Sequence, residues 1–162
     1  PMTNRSSANE TLRTVMRGLA ATVTVITAGQ GDRRQAMSAT SFTALSMDPP
    51  SILICVNRSS AIHSLIEVGS AFCVNVLSQD HESLARVCGN SDQRDERFEI
   101  GRFSNHPHGT PILDDAQANV LCTVKAMHDH DTHTIVIGHV ETILTSDSIR
   151  PLVYLNGHYL VG

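Results

Sequence analysis

Short apolar runs rich in β-branched residues recur along this chain, and no long helices separate them at regular intervals. Residues 22–27 alternate in character, residues 51–56 are apolar throughout, and two longer runs cover residues 119–127 and 134–144. A doubly wound parallel sheet requires a helix between successive strands, so this pattern argues against one. It favours a mainly β fold, an antiparallel barrel or sandwich with short peripheral helices.

Weaker strand signals complete this pattern. Residues 35–45 predict a strand that loses regularity, and the Asp-Pro-Pro step at 48–50 ends it. The short polar segment 128–133 lies between the two longest runs and predicts a hairpin. The remaining strands are predicted over residues 71–77, 151–154 and 159–161, with an Asn-Gly turn at 156–157 before the last one.

Three short helices are predicted between these strands. Residues 9–19 place four apolar side chains at helical spacing, and residues 60–68 and 80–87 predict two further helices. The candidate N-caps of the second and third helices are Ser59 or Ser60, and Ser78 or Asp80. The long polar stretch 89–111 predicts a loop, which at that length is typically functional or mobile.

The composition excludes several classes of function. The net charge is -4, so nothing indicates a basic surface for nucleic acid. The longest apolar runs have about six residues, far fewer than the about 20 that a membrane helix needs. Residues 1–4 lack the charged-then-apolar pattern of a signal peptide. We therefore expect one domain over residues 1–162, with neither a nucleic-acid nor a membrane partner.

The cysteine pattern predicts free thiols and not a disulfide framework. No two cysteines form a CxxC pair, and three of the four lie inside strand-like apolar runs, where a free thiol behaves as a small hydrophobe. The four are Cys55, Cys73, Cys88 and Cys122. Reduced core cysteines are typical of a cytoplasmic protein, and this is the location that we expect.

A polar corner follows the apolar run 51–56. The run stops at Asn57, Arg58, Ser59 and Ser60, just before the second predicted helix. One interpretation is a turn with a serine cap. The other is an anion site, because a helix start offers free N–H groups and a guanidinium can bind two phosphate oxygens. The residues at this corner leave both interpretations open.

Small and hydroxyl-bearing residues crowd the strand that begins at Ser38. Residues 38–46 read SATSFTALS. Small side chains allow a flat ring system to approach the backbone, whose N–H and C=O groups can bond its polar edge. Close packing against a neighbouring strand explains the same composition equally well.

The histidine-rich segment near the predicted hairpin indicates a solvated turn more than a metal site. Its histidines and aspartates alternate, but no cysteine or glutamate completes a familiar ligand spacing. The residues concerned are His128, Asp129, His130, Asp131, His133 and His139. We expect no metal. The chain also lacks the GxGxxG, GxxxxGK[ST], GxSxG and HExxH motifs.

Taken together, these segments resemble the short-chain flavin reductases, which are the reductase components of two-component flavin-dependent monooxygenases. The most specific likeness is MSATSFTALSMDPPSILICVNRSSAIHSLI, residues 37–66. Further matching stretches are FCVNVLSQDHESLARVCG, DERFE, GTPILDDAQANVLCTV, THTIVIGHV and RPLVYLNGHYL. The resemblance implies an antiparallel, Greek-key-like split β-barrel with peripheral short helices, which forms a homodimer with flavin near the subunit interface.

The resemblance also implies roles for individual residues. The implied cofactor-binding residues are Ser38, Ala39, Thr40, Ser41, Val56, Asn57, Arg58, Ser59, Ser60 and Phe98. The first four would line the isoalloxazine ring, largely through backbone groups, and the residues from Asn57 to Ser60 would hold the ribityl chain and phosphate. Phe98 would lie near the flavin or the nicotinamide. The implied catalytic residue is His133, which would bind the nicotinamide nucleotide for hydride transfer, although Thr132 precedes it where many members have Asp.

The implied activity is that of an NAD(P)H:flavin oxidoreductase. Such an enzyme reduces FMN or FAD by hydride transfer and supplies the reduced flavin to a partner monooxygenase. The alternatives are a non-catalytic flavin-binding module and a split-barrel flavin oxidase that acts on a small organic substrate. The residues do not separate FMN from FAD, or NADH from NADPH.

Overall fold

Strands dominate the computed structural model, which describes residues 2–107 and 109–160. His108 and the predicted end of the last strand at Val161 lie outside the described residues. Short 3-10 helices cover Gly31–Arg33, Ala61–Leu65, Gln79–His81 and Ser91–Glu96. The other elements are α1 (Met2–Arg17), β1 (Ala21–Thr22), β2 (Thr24–Ala28), β3 (Gln35–Ala39), β4 (Phe42–Met47), β5 (Pro50–Asn57), β6 (Ala71–Val76), α2 (Glu82–Cys88), α3 (Arg97–Ile100), β7 (Phe103–Asn105), β8 (Pro111–Leu113), β9 (Ala118–His130), β10 (His133–Thr145), β11 (Val153–Leu155) and β12 (His158–Leu160).

A seven-stranded sheet forms the centre of the fold. Its strand order is β3-β2-β6-β9-β10-β5-β4, and every neighbouring pair is antiparallel. Two smaller sheets accompany it, β1-β11-β12 and β7-β8. The predicted mainly β, antiparallel class is thereby confirmed. None of the helices in the described residues is long and apolar enough to cross a membrane.

The central sheet is strongly curled. Its two edge strands, β3 and β4, are consecutive in the chain and joined only by Thr40 and Ser41. Three Cα–Cα steps span at most about 11 Å, whereas a flat sheet of seven strands would be about 29 Å wide. The edges must therefore approach one another. The single irregular strand predicted over 35–45 is in fact these two edge strands, and the break falls at the link.

The inner face of the curled sheet is packed with aliphatic side chains, as the low aromatic content leads one to expect. Along β5, Ile52, Ile54 and Val56 point inward and are buried. They pack in one cluster with Phe72 of β6 and with Ile62 of the 3-10 turn that follows β5. A second apolar cluster lies between β2 and α2, so β2 is buried on both faces.

Two helix predictions need correction in their details. The predicted helix 60–68 is only the 3-10 turn Ala61–Leu65, because Ile66 already adopts an extended conformation that also buries its side chain. Ser60 occupies the N-cap position, but its hydroxyl donates to the carbonyl of Asn57 and does not cap the turn. The helix predicted over 80–87 begins as the 3-10 turn Gln79–His81 and continues as α2 (Glu82–Cys88). The predicted cap at Ser78 lies before the 3-10 turn, where its Oγ accepts from the N–H of Asp80 at 3.4 Å.

The prediction of a loop over 89–111 is wrong. This stretch contains the 3-10 helix Ser91–Glu96, then α3 and β7. The polar composition of this stretch does not reveal its regular structure, because contacts with residues distant in sequence hold the stretch in place. The buried Arg97 bonds the backbone of Ala36 and of Asn90, and Phe98 and Phe103 pack against the second apolar cluster.

The predicted hairpin before His133 is confirmed but is tighter than expected. β9 and β10 pair almost without interruption, and only Asp131 and Thr132 form the turn between them. Asp131 has a positive φ of 51°, which is a conformation that Asp tolerates better than most residues. The paired part of the β9–β10 hairpin is therefore longer than it would be with the predicted six-residue loop 128–133.

Candidate functional site

The polar corner after β5 is an Asx-type turn. Asn57 Oδ1 accepts hydrogen bonds from the N–H of Ser59 at 2.9 Å and from its hydroxyl at 2.8 Å. The hydroxyl of Ser60 donates to the carbonyl of Asn57 at 2.7 Å. These bonds fix the corner in one conformation. The predicted turn is therefore confirmed, although Ser60 does not provide the serine cap predicted with it. The turn is compatible with an anion site.

A cavity of about 330 Å³ opens beside this corner. Ser38 of β3 and the corner residues Asn57, Ser59 and Ser60 contribute to its lining. The opposite wall comes from the segment after α2, with Gly89, Ser91, Arg94 and Arg97. The structure thus brings two separately predicted stretches together and adds two arginines that the sequence did not single out for this role.

Arg97 is buried, with 7% of its surface exposed. Its Nη1 donates to the carbonyl of Ala36 and its Nη2 donates to the carbonyl of Asn90 at 3.0 Å, while the buried Nε–H has no hydrogen-bond partner among the described residues. Burial lowers the pKa of this guanidinium, and the like charge of Arg94 lowers it further. A buried cation without a counter-charge is costly, so this position favours an anionic ligand.

Arg94 lies three residues before Arg97 and also lines the cavity. Its side chain is exposed. Within residues 2–107 and 109–160, neither arginine forms an ion pair. The sequence signal for this pair is the three-residue spacing of Arg94 and Arg97, which places both cations on one side of a helical segment.

Arg58 points away from this cavity. Its Nη1 donates to the carbonyl of Asp131 at 3.2 Å, and its Nη2 lies 3.8 Å from Asp129 Oδ2. It lines a separate hollow of about 540 Å³, together with Asn57, Ser59, His63 and residues of the β9–β10 turn. Of the four predicted corner residues, Arg58 is therefore the one that does not line the cavity with Ser38.

A chain of hydrogen bonds stabilises the hollow that Arg58 lines. The sequence did not suggest this chain. His63 Nε2 lies 2.8 Å from the hydroxyl of Thr134, which donates to Asp129 Oδ1 at 2.7 Å. The bond from Thr134 lowers the pKa of Asp129, and the charges of Arg58 and His63 lower it further. The ionised carboxylate then holds the guanidinium of Arg58.

His133 lies beside the corner. It is the first residue of β10 and pairs with Asn57 across the ladder, so the two side chains project from the same face of the sheet. Its ring is exposed, and Nδ1 lies 2.8 Å from the hydroxyl of Thr132. The predicted catalytic histidine and the predicted corner are therefore neighbours.

The small and hydroxyl-bearing residues from Ser38 to Ser41 do not all line the same site. Ser38 lines the cavity while its hydroxyl donates to the carbonyl of Ala85 at 2.7 Å, and Ala39 packs partly against the core. Thr40 and Ser41 line a mostly apolar groove of about 850 Å³ beside α1. The hydroxyl of Ser41 donates to the carbonyl of Cys55 at 3.1 Å and so joins the edge link to β5.

The last two predicted residues lie apart from the cavity. The side chain of Val56 is fully buried in the core, so only its backbone lies near the corner. Phe98 lies on the other side of Arg94, where the guanidinium carbon of Arg34 is 4.2 Å from the centre of its ring. Its edge packs against Phe103, with ring centroids 4.9 Å apart.

Comparisons with known proteins agree on one family. Residues 16–161 match the profile described as flavin reductase like domain. The reductase component of an FADH(2)-dependent resorcinol hydroxylase from a Rhizobium species is 40% identical, with 93% of this chain and 85% of that protein aligned. The FMN reductase (NADH) RutF 2 of Rhizobium rhizogenes is 34% identical, and the alignment covers 91% of this chain and 85% of that protein. The crystal structure of BorF, the flavin reductase component of a bacterial two-component tryptophan halogenase, is 35% identical with a TM-score of 0.83 and covers 94% of this chain and 96% of BorF.

Proposed function

This chain belongs to the flavin reductase like family, and from that membership we propose that it reduces a flavin with NADH and supplies the reduced flavin to a partner monooxygenase. The resemblance to the reductase components of a resorcinol hydroxylase and a tryptophan halogenase supports the partner, and the NADH-dependent FMN reductase supports the electron donor. The chain aligns with these relatives over most of both lengths, which supports carrying their activity over to it.

The flavin phosphate binds in the cavity at the polar corner. The observation that carries this assignment is the buried guanidinium of Arg97, whose Nε–H is without a partner and which lines the cavity. A phosphate dianion supplies both the missing acceptor and the missing counter-charge. The hydroxyls of Ser59 and Ser60 also line the cavity and can rotate toward the phosphate from their present acceptors, Asn57 Oδ1 and the carbonyl of Asn57.

The isoalloxazine ring lies along residues 38–41. The hydroxyls of Ser38 and Ser41 are engaged with Ala85 and Cys55, which leaves mainly backbone groups to meet the ring. Thr40 and Ser41 open onto the apolar groove beside α1. This placement puts the ring and the phosphate on opposite sides of the link formed by Thr40 and Ser41. The ring lies toward the apolar groove, and the phosphate lies in the cavity at the polar corner.

A second copy of the chain completes the groove. Leu12, Val15 and Met16 on α1 and Leu19 just after it are each more than half exposed, which is unusual for apolar side chains on one helical stripe. Most soluble oligomers are symmetric, and in a twofold dimer the same surface of a second copy would cover this one. We propose a homodimer in which α1 lies against the partner and the flavin ring lies near the interface.

The residues of this chain position the two reactants. Bound flavin and nicotinamide would supply the chemistry, a hydride transfer from nicotinamide C4 to flavin N5. His133 and Asn57 project side by side at the edge of the site and offer hydrogen-bonding groups to the nicotinamide nucleotide. Hydride transfer needs no acid or base, so a site without a catalytic dyad is sufficient.

A steady-state assay that crosses NADH and NADPH against FMN, FAD and riboflavin tests this function. Rapid oxidation of NADH with added FMN or FAD is the expected result. Flavin binding without NADH oxidation would instead indicate a binding module. Consumption of an organic substrate by bound flavin without NADH would indicate an oxidase.

The finer features of the family complete the proposal. The two-residue link between the edge strands supports a split antiparallel barrel, with residues 1–162 forming one flavin reductase-like domain. Four free cysteines, three of them buried, support a cytoplasmic location. Both FMN and FAD fit the phosphate site, because they share the phosphate on the ribityl chain.

A further inference from the structure

Arg58 contacts the end of the β9–β10 hairpin at three points. Its backbone N–H donates to the carbonyl of Thr132 at 2.9 Å, and its Nη1 donates to the carbonyl of Asp131 at 3.2 Å. Its Nη2 lies 3.8 Å from Asp129 Oδ2. Both residues of the turn therefore have their carbonyls bonded to the same arginine, and His133 is the next residue in the chain.

The β9–β10 turn needs such support because its own sequence is poor for a two-residue hairpin loop. Loops of this length favour Asn-Gly or Asp-Gly, whose residues readily adopt positive φ. Here Thr132 occupies the position of the glycine, and of the two turn residues only Asp131 has a positive φ, of 51°. Both residues are exposed, so water competes for their carbonyls. Without Arg58, we expect the turn to sample several conformations.

Asp129 is held in place from the buried side of the hairpin. Thr134 is buried, and its hydroxyl donates to Asp129 Oδ1 at 2.7 Å. The same hydroxyl lies 2.8 Å from His63 Nε2. Because its single hydrogen is used on Asp129, the hydroxyl accepts from His63, whose Nε2 therefore carries a hydrogen. The exposed ion pair between Asp129 and Arg58 adds little free energy of its own, but it aims the guanidinium at the turn.

His133 lies between residues that this network holds. The carbonyl of Thr132 is bonded to Arg58, and the hydroxyl of Thr132 lies 2.8 Å from His133 Nδ1. On the other side, Thr134 is anchored in the core. The imidazole itself is exposed, so core packing does not orient it. Its direction depends on the backbone of the turn and on the hydroxyl of Thr132.

We propose that Arg58 is a positioning residue for NADH: it fixes the β9–β10 turn, and the turn directs the imidazole of His133 toward the nicotinamide nucleotide. The inference rests on the proposed function, because it takes His133 as a group that binds this nucleotide. It gives Arg58 a task other than the phosphate contact that the family resemblance implies, since the guanidinium lies in a separate hollow from the phosphate cavity. Arg58 therefore affects the binding of NADH and not that of the flavin phosphate.

The variant Arg58→Gln tests this assignment. KM for NADH should rise about five-fold, the effect of one hydrogen bond of typical strength, while the Kd for FMN should be unchanged. Arg58→Lys keeps the charge beside Asp129 without the fixed fork of donors, so its KM for NADH should lie between those of wild type and Arg58→Gln. Arg102→Gln is the charge-matched control, because this exposed arginine does not line the hollow at the turn. An increased Kd for FMN in Arg58→Gln, or an unchanged KM for NADH, would overturn the inference.

A double-mutant cycle shows whether Arg58 acts through His133. Once His133 is replaced by Ala, Arg58→Gln should have no further effect on KM for NADH, because the group that Arg58 positions is gone. The same rise in both backgrounds would show that Arg58 acts independently of His133 and would overturn the inference. Should Arg58→Gln not fold, the cycle with Arg58→Lys carries the same test. Failure of the wild-type enzyme to oxidise NADH with FMN would instead refute the proposed function, which keeps the two failures distinct.

Discussion

Replacing Arg97 by Gln gives the sharpest test of how the flavin phosphate is held. Two of the five guanidinium N–H groups are already bonded to the carbonyls of Ala36 and Asn90, and the Nε–H is among those that remain for a ligand, together with the charge. At least one charge-assisted hydrogen bond is therefore lost. Such a bond is worth about 1.5–3 kcal/mol, which corresponds to an increase of about 10- to 150-fold in the Kd for FMN.

Riboflavin separates the loss of a phosphate contact from a general loosening of the site. It carries the same ring and ribityl chain as FMN but has no phosphate, so its Kd should stay within about two-fold of the wild-type value. The assay is a titration followed by flavin fluorescence, with both flavins measured on wild type and variant. Arg97→Lys keeps the charge without the fixed fork and should give a Kd for FMN between the two.

A charge-matched control is available at Arg102. This side chain is exposed and does not line the phosphate cavity, so Arg102→Gln removes the same net charge without touching the site. Its Kd for FMN should be unchanged. If Arg97→Gln weakened FMN and riboflavin equally, the role of Arg97 would be structural. If it weakened neither, the phosphate would bind elsewhere.

Four further predictions concern the corner, the histidine, the thiols and the dimer. Replacing Ser59 and Ser60 together by Ala should raise KM for FMN at least ten-fold, since each phosphate bond is worth about 1.5–3 kcal/mol, and an unchanged KM would remove these hydroxyls from the site. His133→Ala should raise KM for NADH and leave the Kd for FMN unchanged; the reverse pattern would contradict its assignment. Burial raises the pKa of Cys88 to about 12, so the folded thiol stays protonated while the unfolded one ionises above pH about 8.5. This thiol alone should therefore lower the stability by about 2 kcal/mol between pH 8 and pH 10 in urea titrations, and Cys88→Ala should lose that part of the decline, whereas an unchanged decline would show that Cys88 is not a buried, protonated thiol. Met16→Glu should convert a dimer to a monomer in light scattering, and a variant that stays dimeric would place the interface elsewhere.

The sequence predicts the fold well where short-range pattern determines structure. Alternation and β-branching located β5, β6, β9 and β10, because each of these strands buries at least one face in a single core. The same signals failed over residues 35–45. There the break at Thr40 and Ser41 depends on how the whole sheet curls, which no local pattern reports.

The candidate site was predicted in part for the same reason. The corner from Asn57 to Ser60 is a local turn, and its residues are recognisable in one window of sequence. Arg97 was missed because its burial depends on β3, where its acceptor Ala36 lies 61 residues away, and the periodicity of the sequence does not report a contact over that distance. The orientation of Arg58 likewise depends on Asp131, 73 residues away.

The structure of the protein crystallised with FMN tests the central claim most directly. We expect the phosphate in the cavity at the polar corner, within hydrogen-bond distance of the Nε of Arg97 and of the hydroxyls of Ser59 and Ser60. A phosphate bound outside this cavity, with the Nε–H of Arg97 still lacking an acceptor, would contradict it.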